Sequence, residues 1–322
     1  MSAPTRLHPS GPAPDRPSGP APDRPSALVA YRPSGLTWTV LRLHRTALYA
    51  WGAALLIAAA ALIWMHAIGP DARAAVGDCA PSDPFPMDCG IITTAANSGY
   101  TYGLDLVSGC VTYLMFPVAV WAGAALTGRE LESGTAQLAW TQSVTPARWL
   151  ATRLAVPAVL LTAGTTLAVL LATWTRRAGN RELVGDWFNT NVFISSGPVA
   201  VAYALAGLAL GALAGLVLRR ALPAAAAALA AVFVLHGVLD TFRMSLWPTE
   251  TVTGQAPLHF PRGALVLERG TEPSAGGRSG IWATYQPESH FWPLQLVESG
   301  LLLAVAGLAT AAAFTLLRRR TP

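Results

Sequence analysis

This sequence predicts an all-α polytopic membrane protein with six transmembrane helices, and three observations predict it. Apolar residues make up 52% of the chain and charged ones 12%. The apolar residues come in unbroken blocks, whereas a soluble helical bundle would carry charged faces through them. Six blocks are long enough to cross a hydrocarbon core of about 30 Å, which takes about 20 residues of helix. They are rich in Ala and Leu and lack the alternation of a barrel strand, so each must satisfy its own backbone polar groups as a helix.

Taken in order, residues 1–34 hold nine of the chain's 25 prolines and repeat GPAPDRPS at 11–18 and 19–26. Such a stretch has too little apolar surface to fold and reads as a disordered Pro-rich cytoplasmic tail. Residues 35–322 form the six-span transmembrane domain. GLTWTVLRLHRT, from Gly35 to Thr46, mixes Trp38 and leucines with Arg42, His44 and Arg45. That composition suits a short helix at the membrane interface. The spans follow as Leu48–Ile68, Leu106–Thr127, Leu154–Trp174, Pro198–Leu218, Ala221–Leu239 and Pro293–Leu317. Pro117, Pro157 and Pro223 are expected to kink or delay three of them. Gly207, Gly211 and Gly215 give the fourth a face that a second helix can approach closely, within the subunit or across a dimer.

Orientation rests on arginine, because the chain contains no lysine. With the N-terminus inside, the short inner segments hold Arg42, Arg45, Arg129, Arg148, Arg153, Arg219, Arg220 and the closing Arg318–Arg320. Most acids fall on the other side. The bias places both termini in the cytoplasm of a multi-pass cell-membrane protein, although Arg176, Arg177 and Arg181 run against it. The net charge of +5 then serves topology and contact with anionic headgroups, not nucleic-acid binding. Cys79 and Cys89 share the first outer loop and are candidates for a disulfide whose pairing the sequence leaves open. Cys110 reads as a small apolar filler.

The segment between spans two and three, Gly128 to Leu150, is polar and broken by glycine and proline. Glu130 and Glu132 lie within about a turn of the membrane. Ser133-Gly134-Thr135 is expected to stop one helix at the glycine and cap the next with the threonine. Ala136–Gln142 favours a short helix, and Thr145-Pro146 is an N-cap followed by proline at the first helical position. Arg148, Trp149 and Arg153 anchor span three. The expected product is a short helix joined to two spans by breaks, so that a push on it turns both. An ordinary capped turn accounts for the caps and arginines but not for Trp140 and Gln142.

This segment resembles the coupling region of type-2 ABC exporter permeases. It is most similar to a set of actinobacterial six-span permeases with ArgGluxGluxGlyThr, then LeuxTrpThrGln, then ArgTrp. The matching residues are Arg129, Glu130, Glu132, Gly134, Thr135, Leu138, Trp140, Thr141, Gln142, Arg148 and Trp149. Arg42, His44 and Arg45 match part of an opening element. Thr284, Tyr285, Gln286, Pro287, Phe291, Trp292, Gln295 and Glu298 match a closing one, with His290 where arginine is expected. The resemblance implies a transport subunit that pairs with a second permease subunit and with ATP-binding subunits. Glu130, Glu132, Gly134, Thr135, Leu138, Trp140, Gln142 and Arg148 would then couple the two. It also implies a short re-entrant helix near Ile281–Tyr285 in the long loop Met244–Ser289. A Walker loop needs a lysine, so ATP and its magnesium belong to the partner and this chain is expected to bind no cofactor.

Within the spans, His236, Asp240 and Glu298 are candidates for a translocation path. His236 and Asp240, with Arg243, share one helical face. Charges at this depth usually face protein or water, and Asp240 with Arg243 also fits simple pairing at the outer headgroups. An alternative function uses these three as titrating groups of an ion-coupled secondary transporter, but the weak symmetry between halves that such folds show is not evident. Enzymatic activity ranks last: GxSxG and HExxH are absent, the six histidines are scattered, and no metal site is expected.

Overall fold

The computed structural model describes residues 35–77, 87–141, 144–179, 181–254, 258–261, 263–272 and 280–320. Residues 1–34, Cys79, the side chain of Cys89 and Gln142 lie outside that set, as do the expectations placed on them. Among the described residues six helices are long and apolar enough to cross a membrane: Arg45–Ala74, Gly99–Glu132, Pro146–Arg176, Val199–Leu218, Ala221–Ser245 and Glu288–Arg320. They overrun the apolar blocks at most ends, because helical hydrogen bonding continues into the polar flanks.

Helix α1 (Gly35–Leu43) meets α2 (Arg45–Gly77) at His44, and His44 N donates to Val40 O across the junction. Span two is built from several pieces. Helix α3 (Met87–Thr112) stops one turn before Pro117, which has no N–H to offer Tyr113 O; Phe116 N takes that carbonyl instead at 3.1 Å. Helix α4 (Met115–Trp121) then widens into a π-helical segment, Ala122–Gly128, before α5 (Arg129–Glu132). Thr127 Oγ1 lies 3.1 Å from Ala122 O and 3.3 Å from Ala212 O, so the widened turn is stitched to span four.

That contact also decides how the glycine face of span four is used. Helix α10 (Val199–Leu218) packs on α4 and the π segment so closely that a Cβ on Gly211 would overlap Ala119 O, and one on Gly215 would overlap Thr127 Oγ1. The small-residue face is therefore consumed inside the chain. In span four 61% of the apolar window is buried, against 6% in span one, so α10 is the pillar around which the others stand. Helix α7 (Pro146–Arg176) forms span three and α11 (Ala221–Phe242) most of span five. Cys110 is exposed and fills no core, because it faces away from the bundle.

Between spans five and six the chain departs from expectation. The re-entrant helix placed near Ile281–Tyr285 is instead β3 (Gly280–Gln286), the middle strand of an antiparallel sheet ordered β1-β3-β2 with β1 (Glu250–Gly254) and β2 (Leu265–Glu272). Ile281, Trp282, Thr284 and Tyr285 are β-branched or aromatic, and each finds a cross-strand partner in β1, in β2 or in both. The short helices α8 (Arg181–Val184) and α9 (Thr190–Ser195) share this end of the bundle, where Trp187 Nε1 donates to Gly263 O at 2.7 Å. Helix α12 (Phe291–Arg320) completes span six.

Candidate functional site

At the end of the bundle opposite the sheet, span two runs through α5 into an elbow and then α6 (Thr135–Thr141). Ser133 N closes α5 on Arg129 O at 2.9 Å, and Gly134 turns the chain at φ +74, a left-handed conformation that costs a side-chain-bearing residue free energy. Thr135 does not cap α6 as expected. It is the first helical residue, and its hydroxyl points back, 3.3 Å from Glu130 O and 3.0 Å from Ser133 Oγ. The turn at Gly134 leaves Thr135 too far into the helix to serve the N–H groups beyond it. Thr145 does cap α7 as expected, accepting from Arg148 N at 3.3 Å with Pro146 following.

Helix α6 has two unlike faces. Ala136 is buried, and the Trp140 ring meets Trp149 of α7 edge-on, with centroids 5.7 Å apart. Leu138 is 62% exposed, an apolar side chain on an otherwise polar outer face that also carries Gln137 and Thr141; Arg129 in α5 and Arg148 in α7 are exposed as well.

The two acids of the elbow are not equivalent. Glu130 is buried and forms an ion pair with Arg153 Nη1 of span three. The Arg153 guanidinium lies 5.4 Å from the Trp149 ring centre, and its Nη1 is 3.3 Å from His44 Nε2. Arginine only donates, so His44 Nε2 is the acceptor and its ring proton sits on Nδ1. Burial, helped by the Arg153 charge, pushes the His44 pKa down to about 4, which keeps that acceptor free. Glu132 Oε2 instead accepts from Ala221 N at 2.9 Å. Ala221 opens span five, whose N-cap, Arg220, supplies no side-chain cap of its own. A carboxylate there offsets the positive end of the helix dipole. One acid thus holds span three and the other span five.

Sequence reasoning grouped the two acids as one feature and saw Arg153 only as an anchor. The signal it passed over is an arginine immediately before an apolar run, close enough to the membrane to call for a buried partner.

Of the three candidates for a translocation path, Glu298 and Asp240 are joined near the sheet end in a closed network through Arg243, which His236 does not enter. Glu298 is fully buried; its carboxylate accepts from Arg243 Nε at 2.8 Å, Arg243 Nη2 at 3.2 Å and the Tyr203 hydroxyl at 2.9 Å. Arg243 Nη1 reaches Asp240 Oδ1 at 2.9 Å, and Thr190 Oγ1 donates to the same oxygen at 2.8 Å. A bidentate pair of this kind is geometrically demanding and leaves little of the carboxylate for a passing ion. His236 stands among the rings of Tyr113, Phe116 and Tyr203, and among the described residues its Nδ1 has no partner. Gln295, also fully buried, accepts from Val199 N and donates to Phe193 O, pinning span six to the start of span four.

A family model described as ABC-2 membrane transporter related matches residues 37–243, from α1 to the end of span five. No curated protein and no solved structure matches the chain.

Proposed function

Because the chain belongs to the ABC-2 membrane transporter related family, and so is a multi-pass permease of an ABC transporter, we propose that it is the transmembrane half of an exporter. Two ATP-binding subunits drive it, and it works together with a second permease subunit. The chain itself catalyses nothing and binds no cofactor. ATP and magnesium sit in the partner, since a chain without lysine has no Walker lysine to give. The arginine bias puts both termini and α6 on the cytoplasmic side, where such a partner is found.

One observation carries this reading: the elbow is tied to two further spans by its two acids, Glu130 to Arg153 and Glu132 to Ala221 N. The outward face of α6, with Leu138 exposed, offers an apolar contact, and Arg129 and Arg148 are exposed on the helices before and after it. When ATP closes the partner pair, α6 is displaced. Glu130 carries the displacement into span three and Glu132 carries it into span five. Access then alternates between the two membrane faces.

The test is co-purification with an ABC ATP-binding subunit, followed by transport in inverted vesicles with E132Q and G134V. Transport is expected to fail in both variants while each still elutes as a folded membrane protein. Loss of transport in H236A/D240N with the elbow variants active would replace this reading by ion-coupled transport. A chain that never captures an ATP-binding subunit would end it.

A further inference from the structure

A cavity of about 420 Å³ opens between α1, α2, α4 and α7, walled by Val40, Leu48, Trp51, Val118, Trp121 and Leu160 among other apolar residues. Its size is that of a small-molecule site. Trp51 Nε1 is already spent on Leu160 O at 3.4 Å, and the one ionisable side chain in the wall is His44, whose Nε2 is engaged by Arg153. Beyond these groups and the Trp121 indole N–H the wall side chains are apolar, which suits a hydrocarbon chain rather than a polar cargo. The exposed residues next to His44 in the chain say which kind. Arg42 and Arg45 flank His44 and are both exposed, and Arg42 lies over the exposed Trp38 ring at 4.9 Å. No acid occurs between Gly35 and Asp71. A tryptophan–arginine pair at a helix end marks headgroup depth, and unopposed arginines there attract anionic lipid.

We propose that this cavity holds an acyl chain of an anionic glycerophospholipid, with Arg42 and Arg45 on its phosphate, and that His44 transmits its presence to the elbow. The second half rests on the coupling role given to the elbow above. His44 is the shared part. Its ring forms cavity wall and stands edge-on to Trp121 at 5.3 Å, while its Nε2 holds Arg153, the partner of Glu130. A chain packed against His44 and Trp121 keeps the imidazole in place to accept from Arg153. An empty cavity lets the ring turn away, and Glu130 then loses the restraint on its arginine.

The experiment uses the full chain alone in nanodiscs, so its outcome does not depend on finding an ATP-binding subunit. Discs of phosphatidylcholine are compared with discs containing phosphatidylglycerol, each lipid brominated along its acyl chains. Tryptophan quenching is read with W51F/W121F as the blank, and amide hydrogen exchange is followed over residues 129–141. Phosphatidylglycerol is expected to quench more than phosphatidylcholine and to slow exchange at the elbow. R42Q/R45Q should weaken its binding about thirty-fold, roughly a factor of five for each arginine at an anionic surface. A54F, which fills the cavity, should remove the quenching; A50L serves should A54F not fold. H44A should keep the quenching and lose the slowed exchange. Equal quenching by both lipids, insensitive to R42Q/R45Q, overturns the lipid site, and an elbow still protected in H44A overturns the transmission. Either failure leaves the ATP-driven reading to its own test.

Discussion

Removing the Glu130 carboxylate is the sharpest perturbation, because the same side chain serves stability and transmission. The pair it forms with Arg153 is nearly dry, with side chains 10% and 8% exposed, so solvent screening takes little from it. Deleting one partner of such a pair costs about 3–5 kcal/mol, because the other charge is left buried and uncompensated. The two single variants differ. E130Q strands a guanidinium that stays protonated at any accessible pH, and should fall near the top of that range. R153M strands a carboxylate, which can escape by binding a proton, and should cost less. Replacing both charges removes the stranded group altogether, so E130Q/R153M should recover most of the lost stability, as apolar replacements of buried pairs commonly do.

Activity should not recover with it. In the double variant the end of span two no longer grips span three, and ATP hydrolysis should run without transport. The assay is a double-mutant cycle by equilibrium unfolding in mixed detergent micelles, read beside the ratio of transport to hydrolysis in proteoliposomes. If the double variant is as unstable as E130Q, the two charges are not an isolated pair. If it is stable and still couples, the ion pair is packing and the displacement travels another way.

Three further outcomes follow from the same geometry. At Gly134 a Cβ meets nothing within 4 Å, so only backbone strain opposes substitution: G134N, which tolerates φ +74, should keep more transport than G134V, which should lose about 1–2 kcal/mol per the left-handed penalty. At Gly215 the obstacles include backbone, Gly123 O at 2.8 Å and Gly128 N at 2.9 Å, so G215V should destabilise the bundle by about 1–3 kcal/mol, seen as a lower melting temperature. His44 has its folded pKa lowered to about 4 from 6.5, so the unfolded chain binds the extra proton first; its contribution to stability is complete above about pH 6.5 and is lost as pH falls towards 4. Melting temperature measured from pH 7.5 to 4.5 should therefore drop more steeply in the wild type than in H44Q, and parallel curves would refute the assignment.

The six spans were legible because hydropathy sums over some twenty residues and no single side chain can hide it. The breaks of the elbow were legible for a local reason: Gly134 and Thr145-Pro146 act on the backbone within one or two residues. What stayed hidden needed long-range partners. Glu130 and Glu132 look alike two positions apart, yet one closes on Arg153 and the other on Ala221, and only the fold decides which. For Glu298 the sequence left open a partner arginine across the bundle or a place on a path, and only the fold names the partner as Arg243, 55 positions away. Strand β3 was lost for another reason. The helix expected there came from the family resemblance, not from the residues, and a seven-residue run with Ile281, Trp282, Thr284 and Tyr285 becomes a strand only through β1 and β2, which reach it across Gly- and Pro-rich chain.

The glycine face of span four constrains how any displacement can spread. Ala119 O, Thr127 Oγ1 and the backbone of Gly123 lie so near α10 that spans two and four cannot slide past one another without opening a contact already at its limit. Interfaces packed this tightly tend to move as one body. Span one is locked to spans two and three instead: a Cβ on Gly164 would overlap the Trp51 ring, one on Gly103 would overlap Met65, and Thr175 Oγ1 donates to Leu62 O at 2.9 Å. A push on α6 is therefore divided. Span two carries the pillar with it, Glu132 draws the start of span five, Glu130 draws span three, and span three draws span one. The cavity beside His44 is walled by helices of spans one, two and three, so a displacement of the elbow changes its shape, and an acyl chain held in it acts back on the elbow.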